Sequence, residues 1–253
     1  MFGGRAGMQM EEAALNDLWS LDTASESWSP IEPVSGEPPC PRSFHAATSF
    51  GSKFYVFGGC GESGRLADLH SFDTTTRAWR RLPDPPGDVA GRGGASLEAS
   101  ADGSSLWLIG GFAGVETNDI LRFDVASEAW TRVKSDWLRP RSVCSSFRVG
   151  GAVFCFGGEV SPSDRGHEGA GGFASDLVAI DGTSGMQLEV AMASDAPAGY
   201  VPQLPAARGW GSATAISKNS AVLFGGLAGD DANPERLDDM WVVTLRLQAL
   251  RPW

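Results

Sequence analysis

Apolar and polar positions alternate along most of the chain, in short runs broken by glycine, threonine and aspartate turns. A period of two predicts strands rather than helices. The pattern is clearest between residues 45 and 82, where it predicts four short strands at 45–50, 53–57, 69–73 and 78–82. The chain then repeats itself. An apolar run ending in a glycine pair occurs at Phe2-Gly3-Gly4, Phe57-Gly58-Gly59, Ile109-Gly110-Gly111, Phe156-Gly157-Gly158 and Phe224-Gly225-Gly226, with spacings of 55, 52, 47 and 68 residues. After each pair, an aspartate opens another apolar strand: Asp17-Leu18, Asp68-Leu69, Asp119-Ile120, Asp176-Leu177 and Asp239-Met240. Three of these strands run on to a second aspartate, a turn and a tryptophan (Asp22 to Trp28, Asp73 to Trp79, Asp124 to Trp130); the fourth keeps Asp181 without a tryptophan, and the fifth keeps neither. Glycine pairs after a strand suit positive φ or close approach of two sheets. The tryptophans are expected to pack between repeated sheets.

Composition narrows the function. The formal net charge of −11 argues against broad contact with nucleic acid or an anionic membrane. No apolar run approaches the ~18 residues of a transmembrane helix, and the first residues lack a signal-peptide pattern. Cys40, Cys60, Cys144 and Cys155 show no Cys-x-x-Cys spacing, which predicts reduced thiols and a cytoplasmic protein. No nucleophile triad, Walker loop or dinucleotide fingerprint is present.

These repeats resemble the kelch family along essentially the whole chain, which implies an all-β, kelch-type β-propeller in a single domain. Five blades are visible, at about 1–33 (partial), 42–83, 92–134, 141–190 and 207–253. The first begins inside its second strand, so six blades are expected in the whole protein, because a propeller with an open edge invites aggregation.

Several stretches are also similar to the plant nitrile-specifier and epithiospecifier proteins: Pro41-Arg42-Ser43-Phe44-His45, Gly91-Arg92-Gly93-Gly94, Pro140-Arg141-Ser142-Val143, Ala207-Arg208-Gly209-Trp210, and above all the run from Gly157 through Glu159 and Ser163-Asp164 to His167 and Gly171. That resemblance implies an Fe(II)-dependent, lyase-like protein acting beside a thioglucosidase. It would turn the sulfated aglucone of a glucosinolate toward nitrile. It also implies a metal site of Glu159 and His167, with Asp164 one place beyond the aspartate position of the family pattern, where Ser163 stands. One histidine with carboxylates and open positions suits Fe(II). The alternative is that Glu159, Asp164 and His167 are loop residues that hydrogen-bond the turn.

Arg42, Arg92, Arg141 and Arg208 recur at spacings of 50, 49 and 67 residues, each before a first strand. Equivalent positions in a propeller share one rim, so these four and Trp210 are candidates to hold a small anionic substrate. The competing reading is that each arginine ties its own blade to the next. A non-catalytic propeller that binds a protein partner is the second functional expectation, since propellers host both roles.

Overall fold

The computed structural model describes residues 1–7, 13–165, 169–191 and 204–245. Within them there is no helix; twenty strands form five radial sheets and one small hairpin. Blade 1 is β1 (Phe2–Arg5), β2 (Ala14–Asp22) and β3 (Ser27–Pro30). Blade 2 is β4 (Ala46–Phe50), β5 (Lys53–Gly61), β6 (Gly64–Asp73) and β7 (Ala78–Leu82). Blade 3 is β8 (Ser96–Ala99), β9 (Ser105–Phe112), β10 (Glu116–Asp124) and β11 (Ala129–Val133). Blade 4 is β12 (Ser145–Val149), β13 (Ala152–Phe156), β16 (Leu177–Asp181) and β17 (Gln187–Leu188), with β14 (Glu159–Ser161) and β15 (Gly172–Phe173) making a separate hairpin. Blade 5 is β18 (Ser212–Ala215), β19 (Ser220–Gly229) and β20 (Pro234–Thr244). All the ladders within these sheets are antiparallel, as four consecutive strands joined by short turns require.

The glycine pair is a bulge rather than a strand end. In blade 2 the pairing slips between Phe57 and Gly59, and β5 continues to Gly61. Gly58 and Gly59 have φ of 59° and 95°. A Cβ on Gly59 would meet the Ser43 carbonyl oxygen at 2.6 Å, so only glycine fits there.

The aspartate–turn–tryptophan run is equally local. Asp73 Oδ1 accepts the backbone N–H groups of Thr75 and Thr76, and Arg77 follows at φ 54°. The same cap recurs at Asp22 with Ala24 and Ser25, and at Asp181 with Thr183 and Ser184. Blade 4 lacks the tryptophan because its neighbour fills the place. Trp107 of blade 3 is fully buried, donates its indole N–H to the Gly182 carbonyl at 2.9 Å, and lies where a Cβ on Gly185 would sit.

The core lies between blades rather than within them. Phe57 and Leu69 of blade 2 meet Leu97, Leu106 and Leu121 of blade 3. Trp107, Ile109 and Ile120 meet Val153, Cys155 and Ile180 of blade 4, and Phe154 with Ala179 meets Ala221 of blade 5. Phe2 and Leu18 of blade 1 meet Val56, Phe72 and Trp79 of blade 2. Among the described residues no helix is long and apolar enough to cross a membrane.

Candidate functional site

The repeated arginines point inward, not at the rim. Arg42 is fully buried and grips Asp68 with both terminal nitrogens at 2.8 Å; it also donates to the Gly58 carbonyl at 3.0 Å and, through Nε, to the Cys40 carbonyl at 3.1 Å. Arg92 repeats the clasp with Asp119 and Gly110, Arg141 with Asp176 and Gly157, and Arg208 with Asp239 and Gly225. Each clasp closes within one blade. The bulged glycine turns its carbonyl to the guanidinium, and the aspartate that opens the third strand completes the fork.

This corrects the expectation that Arg42, Arg92, Arg141 and Arg208 face a substrate: their side chains are buried at 0–2% exposure and committed to in-chain acceptors. The Arg42 fork, with a further bond from His70, holds the Asp68 carboxyl well below its ordinary range despite burial. Arg208 and Trp241 bring Asp239 down to about 2.

What surrounds the mouth instead is two rings of side chains that differ from blade to blade. The first ring lies two residues after each arginine: Phe44, Gly94, Val143 and Trp210, all at φ between 49° and 62°. Gly94 N–H donates to the Phe44 carbonyl, Val143 N–H to Gly94, and Trp210 N–H to Val143, at 2.7–2.9 Å. These bonds run around the axis and bring the Phe44 and Trp210 rings edge to face, 5.6 Å apart. A left-handed backbone costs a side-chain-bearing residue about 1–3 kcal/mol. Phe44, Val143 and Trp210 stand where glycine would serve the backbone.

The second ring follows each glycine pair directly: Arg5, Cys60, Phe112, Glu159 and Leu227. Backbone bridges Ser43–Cys60, Gly93–Phe112, Ser142–Glu159 and Gly209–Leu227 fasten the second ring to the first. One half of the mouth is cationic and aromatic. The Arg5 guanidinium lies 4.8 Å over the Phe44 ring, and that of Arg65 lies 4.7 Å over Phe112. Burial raises the Cys60 thiol, while the charges of Arg65 and Arg5 oppose that rise, so both guanidinium groups act on one spot.

The other half is acidic. Burial raises Glu159, and Glu116 and Asp231 raise it further. Burial likewise raises Glu116, whose Oε1 is buried with no hydrogen-bond partner.

The metal expectation meets a different arrangement. The Glu159 carboxylate takes backbone hydrogen bonds from Ser163 and Gly171, so it braces its own loop. Ser163 Oγ–H and the Asp164 N–H both turn to the Asp231 carboxylate, and Asp164 is exposed. His167 lies outside the described residues. Among the described residues no three His, Cys, Asp or Glu side chains converge as a metal would need. Trp210 stands in the first ring, edge to face with Phe44. Arg5, Arg65, Phe44 and Phe112 were not singled out in the sequence. The signal for most of them was there: variation at fixed offsets from an otherwise constant repeat.

Comparison with known proteins agrees with this architecture. A family described as the KLHDC2/KLHL20/DRC7 Kelch-repeats domain matches residues 1–158. The chain is 28% identical over 267 residues to the N-(sulfonatooxy)prop-2-enimidothioate sulfolyase of Thlaspi arvense, a match covering 95% of this chain and 72% of that protein. It is 33% identical over 189 residues to human Kelch domain-containing protein 3, covering 68% of this chain and 46% of the relative. Human Host cell factor 1 matches at 28% over 231 residues, covering 86% of this chain and 11% of its own length.

Proposed function

The chain belongs to the kelch-repeat family, and from that premise we propose that its mouth binds a small organic anion with an apolar body, in the manner of the specifier proteins. The name of the Thlaspi relative describes a lyase acting on an N-sulfonatooxy enimidothioate, a compound with a sulfate at one end and a short carbon chain at the other. A comparable sulfated thioglucoside aglucone, directed toward nitrile, is the substrate class assigned to this chain.

One observation carries the reading: Arg65 and Arg5 stack on Phe112 and Phe44 beside Trp210, giving positive charge over an aromatic floor. A guanidinium already stacked on a ring is pre-oriented for a sulfate fork. The aromatic rings take the apolar end. The acidic half of the mouth repels a sulfate and so fixes which way round the anion lies. These residues bind and orient; no bond-breaking step is assigned to any side chain.

The test is a calorimetric titration with benzyl sulfate and, as neutral control, benzyl alcohol. Benzyl sulfate binds and benzyl alcohol does not. Arg65→Gln weakens the sulfate by about tenfold or more, as loss of a charge-assisted hydrogen bond of about 1.5–3 kcal/mol requires. Equal binding by Arg65→Gln and the unsubstituted chain overturns the assignment. Absence of sulfate binding by both favours the second reading, a mouth that binds a protein partner. The exposed Val115 at the tip of the β9–β10 hairpin suits that reading.

A further inference from the structure

The turn between β19 and β20 of blade 5 carries two adjacent aspartates with different work. Asp230 closes the turn itself: its Oδ1 accepts the N–H groups of Ala232 and Asn233 at 2.9 and 2.8 Å. Asp231 reaches out of its blade to the segment after β14 of blade 4. Its carboxylate accepts the Ser163 Oγ–H and, at 3.1 Å, the Asp164 N–H. Its main-chain carbonyl accepts from the Arg165 guanidinium at 2.8 Å. Ser163 Oγ in turn accepts the Arg165 N–H at 3.0 Å. The contact is closely packed: a Cβ on Gly169 would lie 2.0 Å from Ser163 Oγ and 2.2 Å from Asp231 Oδ1.

This contact is distinct from the joint that successive blades share. That joint is a two-bond bridge made by the main chain alone. The second glycine of the earlier blade donates its N–H to the carbonyl of the later blade's arginine, as Gly59 does to Arg92 and Gly158 to Arg208, both at 2.8 Å. A residue on the returning chain accepts the arginine N–H, Leu66 from Arg92 at 2.9 Å and Ala174 from Arg208 at 3.2 Å. The bridge holds blades together, whereas Asp231 holds a loop, and the loop holds a carboxylate. The N–H groups of Ser163 and Gly171 bond the Glu159 carboxylate, and Glu159 stands in the second ring, bridged to Ser142. Asp231, Ser163 and Glu159 are therefore consecutive links from blade 5 to the mouth. A carboxylate at a binding mouth discriminates between ligands only while it is held, because a charge free to swing aside relaxes the repulsion it exerts.

We propose that Asp231 is a positioning residue for the mouth: by holding Ser163 it fixes the loop whose backbone orients the Glu159 carboxylate, and so it makes the mouth select singly charged anions over those with a second negative group at the far end. The proposal rests on the reading that the mouth binds a small organic anion. With the sulfate on the Arg5 and Arg65 side, the far end of the ligand meets the acidic half. There a held Glu159 turns away a second anionic group and admits an apolar one. Ser163 is the donor this hold requires. An aspartate in its place would set two carboxylates against each other.

Calorimetric titration with benzyl sulfate and with 4-carboxybenzyl sulfate tests the assignment. The ratio of the two affinities is read, so that a general loss of binding cancels. In the unsubstituted chain the far carboxylate weakens binding by about tenfold. Ser163→Ala removes the hold without changing any charge, and the ratio falls close to one. Exchanging the two ends, Ser163→Asp with Asp231→Ser, keeps the number of carboxylates and rebuilds the bond in reverse, and most of the preference returns. A preference kept by Ser163→Ala overturns the proposal, since the charge then acts without the hold. An exchange variant no more selective than Ser163→Ala overturns it too, as does equal binding of both ligands by the unsubstituted chain. In that last case benzyl sulfate still binds and the anion reading of the mouth stands. Absence of benzyl sulfate binding removes that reading, and the positioning role with it.

Discussion

Blades 2 and 3 share their arginine clasp and glycine bulge with blade 5 and differ from it in what lies beside them. The Arg208–Asp239–Gly225 clasp of blade 5 matches the Arg42–Asp68–Gly58 clasp of blade 2 bond for bond. Yet Phe224 is exposed and Phe57 is not. Secondary structure and clasps are set within a blade by bulges, caps and ion pairs. Burial is set between blades. Local order is thus complete in a blade whose hydrophobic contribution is only half made.

The largest effects should follow that division. Phe57→Ala should cost about 3–5 kcal/mol in denaturant unfolding, the range for emptying a packed aromatic site, while Phe224→Ala in the 253-residue chain should stay within about 1 kcal/mol. Equal losses would mean that the two faces are equally covered in solution. Breaking a clasp should matter in either environment: Arg42→Met and Arg208→Met each leave a carboxylate without its partner. Arg42→Met should reach about 3–5 kcal/mol, and Arg208→Met less, because Asp239 is more exposed than Asp68.

A pH titration sharpens the contrast at blade 2. Burial and the Arg42 charge hold the His45 imidazole down at about 4, against an ordinary value of 6.5. Between these values the unfolded chain binds the extra proton, so stability falls as pH drops from 6.5 toward 4, by up to about 3 kcal/mol. His45→Phe should flatten that window; an unchanged slope would assign it elsewhere. The smallest effect is expected at blade 1, where Asp17 takes the Trp19 indole N–H at 2.6 Å on an exposed surface. Asp17→Asn should shift the unfolding midpoint by no more than about 0.5 kcal/mol.

The fold was legible because its determinants are short-range and repeated. Glycine pairs, turn-capping aspartates and strand alternation each act within a few residues, and the repeat prints them over and over. The arginines show the limit. Their spacing places them correctly on equivalent positions, but spacing does not say which way a side chain turns. Their partners were also visible, as Asp68, Asp119, Asp176 and Asp239 recur 26 to 35 residues on. Pairing the two series needs the sheet to be folded. The mouth was less legible still. Arg5 reaches Phe44 and Arg65 reaches Phe112 only because adjacent blades close on each other, and no local pattern records that contact. Glu159 was singled out in the sequence as a metal ligand through the family resemblance, and in the fold its carboxylate takes hydrogen bonds from its own loop's backbone, a use that residue type and spacing leave open.

The two-bond bridge between successive blades bears on how such a chain can change. Blades 2, 3 and 4 each carry both halves of the joint: a glycine N–H with an opposing carbonyl that receives the next arginine, as Gly59 and Leu66 receive Arg92, and an arginine main chain received by the blade before. A gene segment duplicated from one arginine to the next therefore yields a unit already compatible with its parent on either side. Because such units interact with nearest neighbours alone, stability grows by one unit term and one joint term at each step. Blade number is then a heritable quantity open to change by recombination, while the side chains after each glycine pair and each arginine diversify without disturbing the joint.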